Sequence, residues 1–224
     1  MHVSATHIPT YAHFPVIVRV ESTLAHRNRW TTFFRPLLAL PHLMLVGGPV
    51  SAALWWTWRA EPGNHDWSAG GGVLGAVAAV CGIIAWFALL FTGEYPNGLR
   101  KLVMMYLRWR VNAMAYVTLL RDEYPPFGDG RYPARFEIET PAMPRNKLSI
   151  AFRLLLLLPH VIVLWLLGVA WFATTLIGWL AILFTGEFPA LLYHFGLGML
   201  RWNIRVEAYA LLLIDEYPPF SLEW

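Results

Sequence analysis

Residues 154–184 read LLLLLPHVIVLWLLGVAWFATTLIGWLAILF, thirty-one positions with no Asp, Glu, Lys or Arg. A run this long and this apolar decides the class, because it exceeds the roughly 20 residues that cross a bilayer core. The rest of the chain agrees. Hydrophobic residues make up 57% of the 224 and charged residues 14%, against about 25% charged in an ordinary soluble domain. Mean hydropathy is +0.47, with 12 Trp and 13 Phe. This balance excludes a disordered chain and a soluble globular domain. A net charge of +3 is too small to suggest nucleic acid. The single cysteine, Cys81, lies inside an apolar run and rules out an intramolecular disulfide. Residues 1–15 are polar and His-rich without an apolar signal core, so insertion is expected to use the internal segments.

The run belongs to one of two copies of a unit. Arg153-Leu-Leu-Leu-Leu-Leu-Pro159-His160 matches Arg35-Pro-Leu-Leu-Ala-Leu-Pro41-His42 at an offset of 118, as Arg145-Asn146 matches Arg27-Asn28. Further on the offset is 93. Phe184-Thr-Gly-Glu-Phe-Pro189 matches Phe91-Thr-Gly-Glu-Tyr-Pro96, and Arg201-Trp202 matches Arg108-Trp109. Asp215-Glu-Tyr-Pro-Pro-Phe220 repeats Asp122–Phe127 unchanged. The first copy therefore carries about 25 extra residues, whose clearest part is the polar stretch Arg59–Gly72. The organisation read from this is a tail 1–13, unit one 14–127 with the inserted loop 59–72, and unit two 132–220.

These tandem motifs resemble an uncharacterised bacterial family of multi-pass membrane proteins, classified only as a domain of unknown function. The resemblance covers about Phe14 to Phe220. It implies a small membrane protein and brings no activity and no catalytic residue.

Each unit opens with a period-two stretch, Val16–Glu21 and Arg135–Glu139, which reads as a strand; the two strands could pair as a ribbon. A membrane hairpin follows. In unit one its arms are Arg35–Trp58 and Val73–Phe91; in unit two residues 154–184 give two arms of about 15 residues turning near Gly168, each reaching only about 22 Å. Unbroken, that run would make a helix of about 46 Å. A third helix follows Pro96 and Pro189, whose missing N–H suits a first turn. Asn97, Arg100, Lys101, Arg108 and Asn112 share one face of the first, and His194, Arg201 and Arg205 one face of the second. Such helices are expected to lie along the headgroups, 96–121 nearly flat and 189–214 deeper. The fold class is thus an α-helical integral membrane protein of two tandem parallel repeats, each a short surface strand, a membrane helical hairpin and a basic amphipathic helix. The loop 59–72 is acidic, and every basic residue but Arg59 meets the other face. The positive-inside rule then places the protein in the inner (plasma) membrane, multi-pass, with both termini cytoplasmic.

Candidate sites are few. His42 and His160 occupy matching places after Pro in apolar helices. They could ligate a haem or pigment metal if symmetry makes them face each other; otherwise each satisfies a helix carbonyl freed by its proline. Glu94 and Glu187 sit where a helix dipole favours a carboxylate. Arg100, Lys101, Arg108, Arg201 and Arg205, with those two glutamates, are candidates for lipid-headgroup contacts or internal ion pairs. His2, His7 and His13 show no metal spacing, and no catalytic motif, nucleotide loop or Cys pair appears. The expectation is a non-enzymatic accessory or scaffold subunit of a larger membrane complex, with membrane lipids as partners, no nucleic acid and no cofactor. The alternatives are a haem or pigment carrier through His42 and His160, and a lipid-binding or lipid-moving protein.

Overall fold

The computed structural model describes residues 14–22, 24–49, 56–61, 64–69, 71–128, 130–139, 141 and 145–223. The tail 1–13 and residues 50–55 of the expected span 35–58 lie outside them. In chain order the elements are β1 (Val16–Val20), α1 (Arg29–Val46), β2 (Trp56–Glu61), β3 (Asn64–Ala69), α2 (Gly72–Phe91), α3 (Asn97–Val117), β4 (Ala134–Ile138), α4 (Lys147–Ala151), α5 (Arg153–Thr185) and α6 (Ala190–Ala210). The chain is mostly helical, and α2 and α5 are long and apolar enough to cross a membrane.

The repeat fixes the local structure twice. Asn28 caps α1, its side-chain oxygen accepting from Trp30 N and Thr31 N at 3.0 and 3.2 Å. Asn146 caps α4 in the same way at Leu148 N and Ser149 N. The two period-two stretches do pair, antiparallel, with Val18 opposite Phe136. These are equivalent residues at the 118 offset, so the pseudo-two-fold axis runs through the middle of the ribbon.

Two expectations are corrected. Unit two has no hairpin: α5 is one unbroken helix of 33 residues, about 50 Å long. Gly168 sits buried on its packed seam, and a lone glycine without a turn sequence costs a helix only about 1 kcal/mol. Among the described residues unit one forms no helical hairpin either. α1 stops at Val46, and the strand Trp56–Glu61 takes in the last three residues of the expected span 35–58. Two equivalent hydrogen bonds fix the course of α1 and α2. Trp179, near the end of α5, donates to the Thr32 carbonyl at 2.8 Å, and Trp86, near the end of α2, donates to the Ile150 carbonyl at 2.8 Å. Ile150 and Trp179 stand about 40 Å apart along one helical line, so Thr32 and Trp86 do too. α1 and α2 therefore follow one another along a line instead of folding back. At their junction a Cβ on Gly72 (φ +69°) would lie 2.7 Å from the Leu45 carbonyl oxygen and the Gly47 nitrogen. Val46 is equivalent to Leu164 and Gly72 to Trp165, which are neighbours within α5. Residues 47–71, with the β2–β3 ribbon, are thus inserted into the middle of one long helix.

The layers follow. The α1–α2 rod and the α4–α5 rod run antiparallel and touch at their ends. α3 packs along the first rod and α6 along the second, and the β1–β4 ribbon lies on α3 and α6. The third helices were expected to lie on a membrane surface; they form the middle layer, because the rods cover one side and Val16, Val18 and Phe136 of the ribbon the other. From Tyr106 to Tyr116, α3 buries every residue except Arg108.

Candidate functional site

Two repeated arginines, an aspartate and a histidine converge on one lock in each unit. In unit one, Asp122 receives Arg27 at 2.7 Å and Arg35 at 2.5 Å. Arg35 also donates to the Tyr116 and Arg121 carbonyls and lies over the Tyr116 ring, 4.5 Å from its centroid. In unit two, Asp215 receives Arg145 and Arg153, and Arg153 donates to the Tyr209 and Ile214 carbonyls, 3.9 Å from the Tyr209 centroid. The helix ends held there are unusual. Leu119 and Leu212 have φ of 65° and 63°, costly for a branched side chain. Arg27 and Arg145 donate to those same carbonyls at 2.7 and 2.9 Å. The Asp-x-Tyr-Pro-Pro-Phe segment then folds back over the histidine. The His42 ring stacks on Phe127 at 4.6 Å, and the His160 ring on Phe220 at 4.0 Å.

The histidines are corrected in two respects. They do not face each other: His42 is boxed by Trp109, Tyr124 and Phe127, and His160 by Trp202, Tyr217 and Phe220. Nor does either hold a helix carbonyl through an N–H. The Nδ1 atoms accept from the Trp109 and Trp202 indoles at 2.9 and 3.2 Å, which leaves the proton of a neutral ring on Nε2. Nε2 is buried in both boxes without a hydrogen bond of good geometry. A glutamine can offer its side-chain oxygen to the same indole. We expect His42→Gln to retain most of the fold in thermal unfolding, and His42→Leu, which leaves the Trp109 N–H unsatisfied, to lose about 1–3 kcal/mol. Equal losses would show that ring stacking, and not the acceptor, is what matters.

The basic candidates separate. Lys101 and Arg108 are exposed and Arg100 half-buried. Arg201 donates to the Val18 carbonyl of the ribbon at 3.1 Å, and Arg205 is buried and donates to the Glu223 carbonyl at 2.8 Å. Glu94 and Glu187 are exposed in matching turns, each with its backbone N–H on a threonine hydroxyl two residues back.

Sequence reasoning missed the buried ion pair that joins the two third helices. Arg110 of α3 and Glu207 of α6 are both within 2% of complete burial and pair at 2.6 Å. Tyr106 donates to the other Glu207 oxygen at 2.8 Å. Arg110 also donates to the Val46 and Gly48 carbonyls, at the break in the first rod. The pair has no counterpart in the repeat, since the equivalent positions are Asn203 and Met114.

Asp215 gives a pH signature. Burial alone would raise its pKa, but the Arg145 hydrogen bond and charge, with Arg153, outweigh burial and hold it below the ordinary value. A carboxylate depressed in the fold stabilises it above its unfolded pKa of about 3.9, and that contribution is lost as the pH falls through the folded value. The unfolding temperatures of wild type and Asp215→Asn should differ at pH 7 and converge below about pH 4. A gap that stays constant with pH would exclude this linkage.

A cavity of about 590 Å³ opens between α1 and α5, lined by Arg35, Ala39, Leu43, Trp171, Thr175 and Trp179 among others. Its pseudo-symmetric mate, about 230 Å³, lies against Ala79, Gly82, Trp86, Arg153 and Leu154. At the larger one, the Arg35 Nε and Trp171 Nε1 groups are buried without an acceptor among the described residues.

The geometry defines a mostly helical, internally two-fold protein whose repeated polar residues hold it together. The chain belongs to the family described as Domain of unknown function (DUF4389), which matches residues 71–128 and 147–221, more than half of the sequence in two tandem stretches. The first stretch begins at Gly71, where the insertion ends. No curated protein and no solved structure matches the chain.

Proposed function

We propose that the protein is a non-enzymatic accessory or scaffold subunit, embedded in the inner membrane and packed there against a larger complex. One observation carries this reading. The outer faces of α1, α2 and α5 expose large apolar side chains along their whole length, Leu37 at 64%, Val73 at 63% and Phe172 at 64% among them. The repeated arginine–aspartate sets, Arg27, Arg35 and Asp122 with Arg145, Arg153 and Asp215, meanwhile turn inward to lock the fold. Contiguous apolar surface on this scale belongs against lipid or another protein. Extraction in mild detergent with affinity capture should bring down a stoichiometric membrane partner. A chain that emerges alone, monodisperse and stable, refutes the scaffold reading.

The cavity favours a second reading, lipid binding. Its size lies within the roughly 300–1,000 Å³ of small-molecule sites, and its lining is almost wholly apolar. An acyl chain would fill it. Native mass spectrometry of the detergent-extracted protein should find a retained lipid that Ala39→Phe, which fills the cavity, displaces. The pigment reading has no support from the histidine boxes, whose Nδ1 atoms already accept indole protons; an absorption spectrum of the purified protein tests it directly.

A further inference from the structure

We infer that the protein sits in a single leaflet, with its two long rods lying in the membrane plane and its ribbon in water, and does not cross the bilayer. This rests on the membrane reading proposed above and goes beyond it.

Symmetry carries the first step. Two antiparallel rods exchanged by a two-fold axis must lie across that axis. The axis passes through the β1–β4 ribbon, where Val18 meets its equivalent Phe136. Only two seatings preserve the symmetry. With the axis in the membrane plane, the rods can stand upright and cross, and at any tilt the ribbon sits at the level of the bilayer centre. With the axis along the normal, both rods lie flat and the ribbon stands clear on one side.

Charge chooses between them. The outward face of the ribbon carries Arg19 directly opposite Arg135, with Glu137 beside them, all exposed, and Arg108 is exposed at mid-length on α3. Two like charges side by side are tolerable in water and prohibitive in hydrocarbon. The crossing seat would place all four at bilayer-centre depth. The flat seat puts them in water, on the face opposite the apolar rods.

The insertion argues the same way. A crossing first rod would carry its break, Gly47 to Gly72, at half-depth. The inserted segment holds Arg59, Glu61, Asn64, His65 and Asp66, and its backbone would leave the helix where the hydrocarbon offers no hydrogen bonds. A rod in the plane can release it sideways or upward. The flat seat also places the equivalent basic residues of both units on one side, as the positive-inside tendency asks, whereas the crossing seat puts one set on each side.

Three single-cysteine variants in a Cys81→Ala background test this: Glu94→Cys at the end of α2, Glu187→Cys at the end of α5, and Asn64→Cys in the insertion. Tyr95 binds the Leu211 carbonyl and Phe188 binds that of Leu24, so Glu94 and Glu187 mark opposite ends of the antiparallel rods. Intact right-side-out and inverted vesicles are treated with a membrane-impermeant maleimide, after an alkaline carbonate wash. The flat seat requires the protein to resist the wash and all three cysteines to be labelled from the same face. Labelling of positions 94 and 187 from opposite faces means rods that cross and overturns the inference. Labelling of 64 alone from the far face means a crossing helical hairpin and overturns it equally. Release of the protein by carbonate overturns the membrane reading itself, a different failure from either.

Discussion

Replacing Glu207 by Gln should destabilise the protein by about 3–5 kcal/mol, because it strands a buried guanidinium. Arg110 has no exposure, and its Nε donates to Glu207 at 2.6 Å. With the carboxylate neutralised, the Val46 and Gly48 carbonyls and the Tyr106 hydroxyl remain around it, which are dipoles and not a countercharge. Arg110→Met should cost a similar amount by stranding Glu207. It should also release the end of α1, whose carbonyls the guanidinium holds. The double variant Arg110→Met, Glu207→Leu should recover much of either loss, since a buried pair exchanged for apolar volume is often neutral or better. Arg108→Gln, two residues away on the exposed face, should change stability by about 0.5 kcal/mol or less. Thermal unfolding of the four proteins in one mild detergent makes the comparison. If the double variant is as unstable as the worse single one, the pair is needed for reasons other than charge balance.

The contrast between positions 108 and 110 shows how far the sequence could be read. Arg108 drew attention because it repeats, as Arg201, beside a tryptophan. Arg110 has no counterpart in the repeat and carries no such signal. Its partner is 97 positions away on another helix and does not recur, so neither spacing nor repetition could reveal it. The locks were half legible. Arg35, Arg153 and both Asp-x-Tyr-Pro-Pro-Phe segments stand out as repeats, but nothing local joins Arg35 to an acid 87 residues later. The two strands of the β1–β4 ribbon were legible, because period-two alternation depends only on neighbours, whereas their pairing joins residues 118 apart at its centre. The membrane hairpins were misread for a different reason. Dividing 31 apolar residues into two arms presumes that each apolar segment crosses a bilayer, and no turn chemistry at Gly168 supports a division. The two offsets contained the correct answer. Their difference of 25 residues, applied at the point where Val46 and Gly72 become neighbours, places the insertion inside one helix.

The same reasoning gives the largest effect expected of any repeated residue. Asp122→Ala should cost about 3 kcal/mol or more, because one carboxylate balances two arginines, Arg27 and Arg35, with 0% and 2% of their side chains exposed. The damage should spread along the chain. Without Asp122, Arg27 loses the anchor from which it reaches the Leu119 carbonyl, so the left-handed residue that ends α3 is no longer held. The segment carrying Tyr124 and Phe127 then lifts from His42, and water reaches the Trp109 indole. Asp215→Ala should do the same in unit two, exposing Trp202 at a similar cost, because every bond has its equivalent. Each loss can be measured by chemical unfolding, and each box watched by acrylamide quenching against Trp109→Phe and Trp202→Phe controls. Arginine rescue separates charge from shape: adding Arg27→Met and Arg35→Met to Asp122→Ala removes the stranded cations and should recover part of the loss. Failure to recover any would mean that the carboxylate acts by holding the turn, with the arginines secondary. Unequal losses in the two units would place the difference at the insertion, since 47–71 is where unit one most departs from unit two.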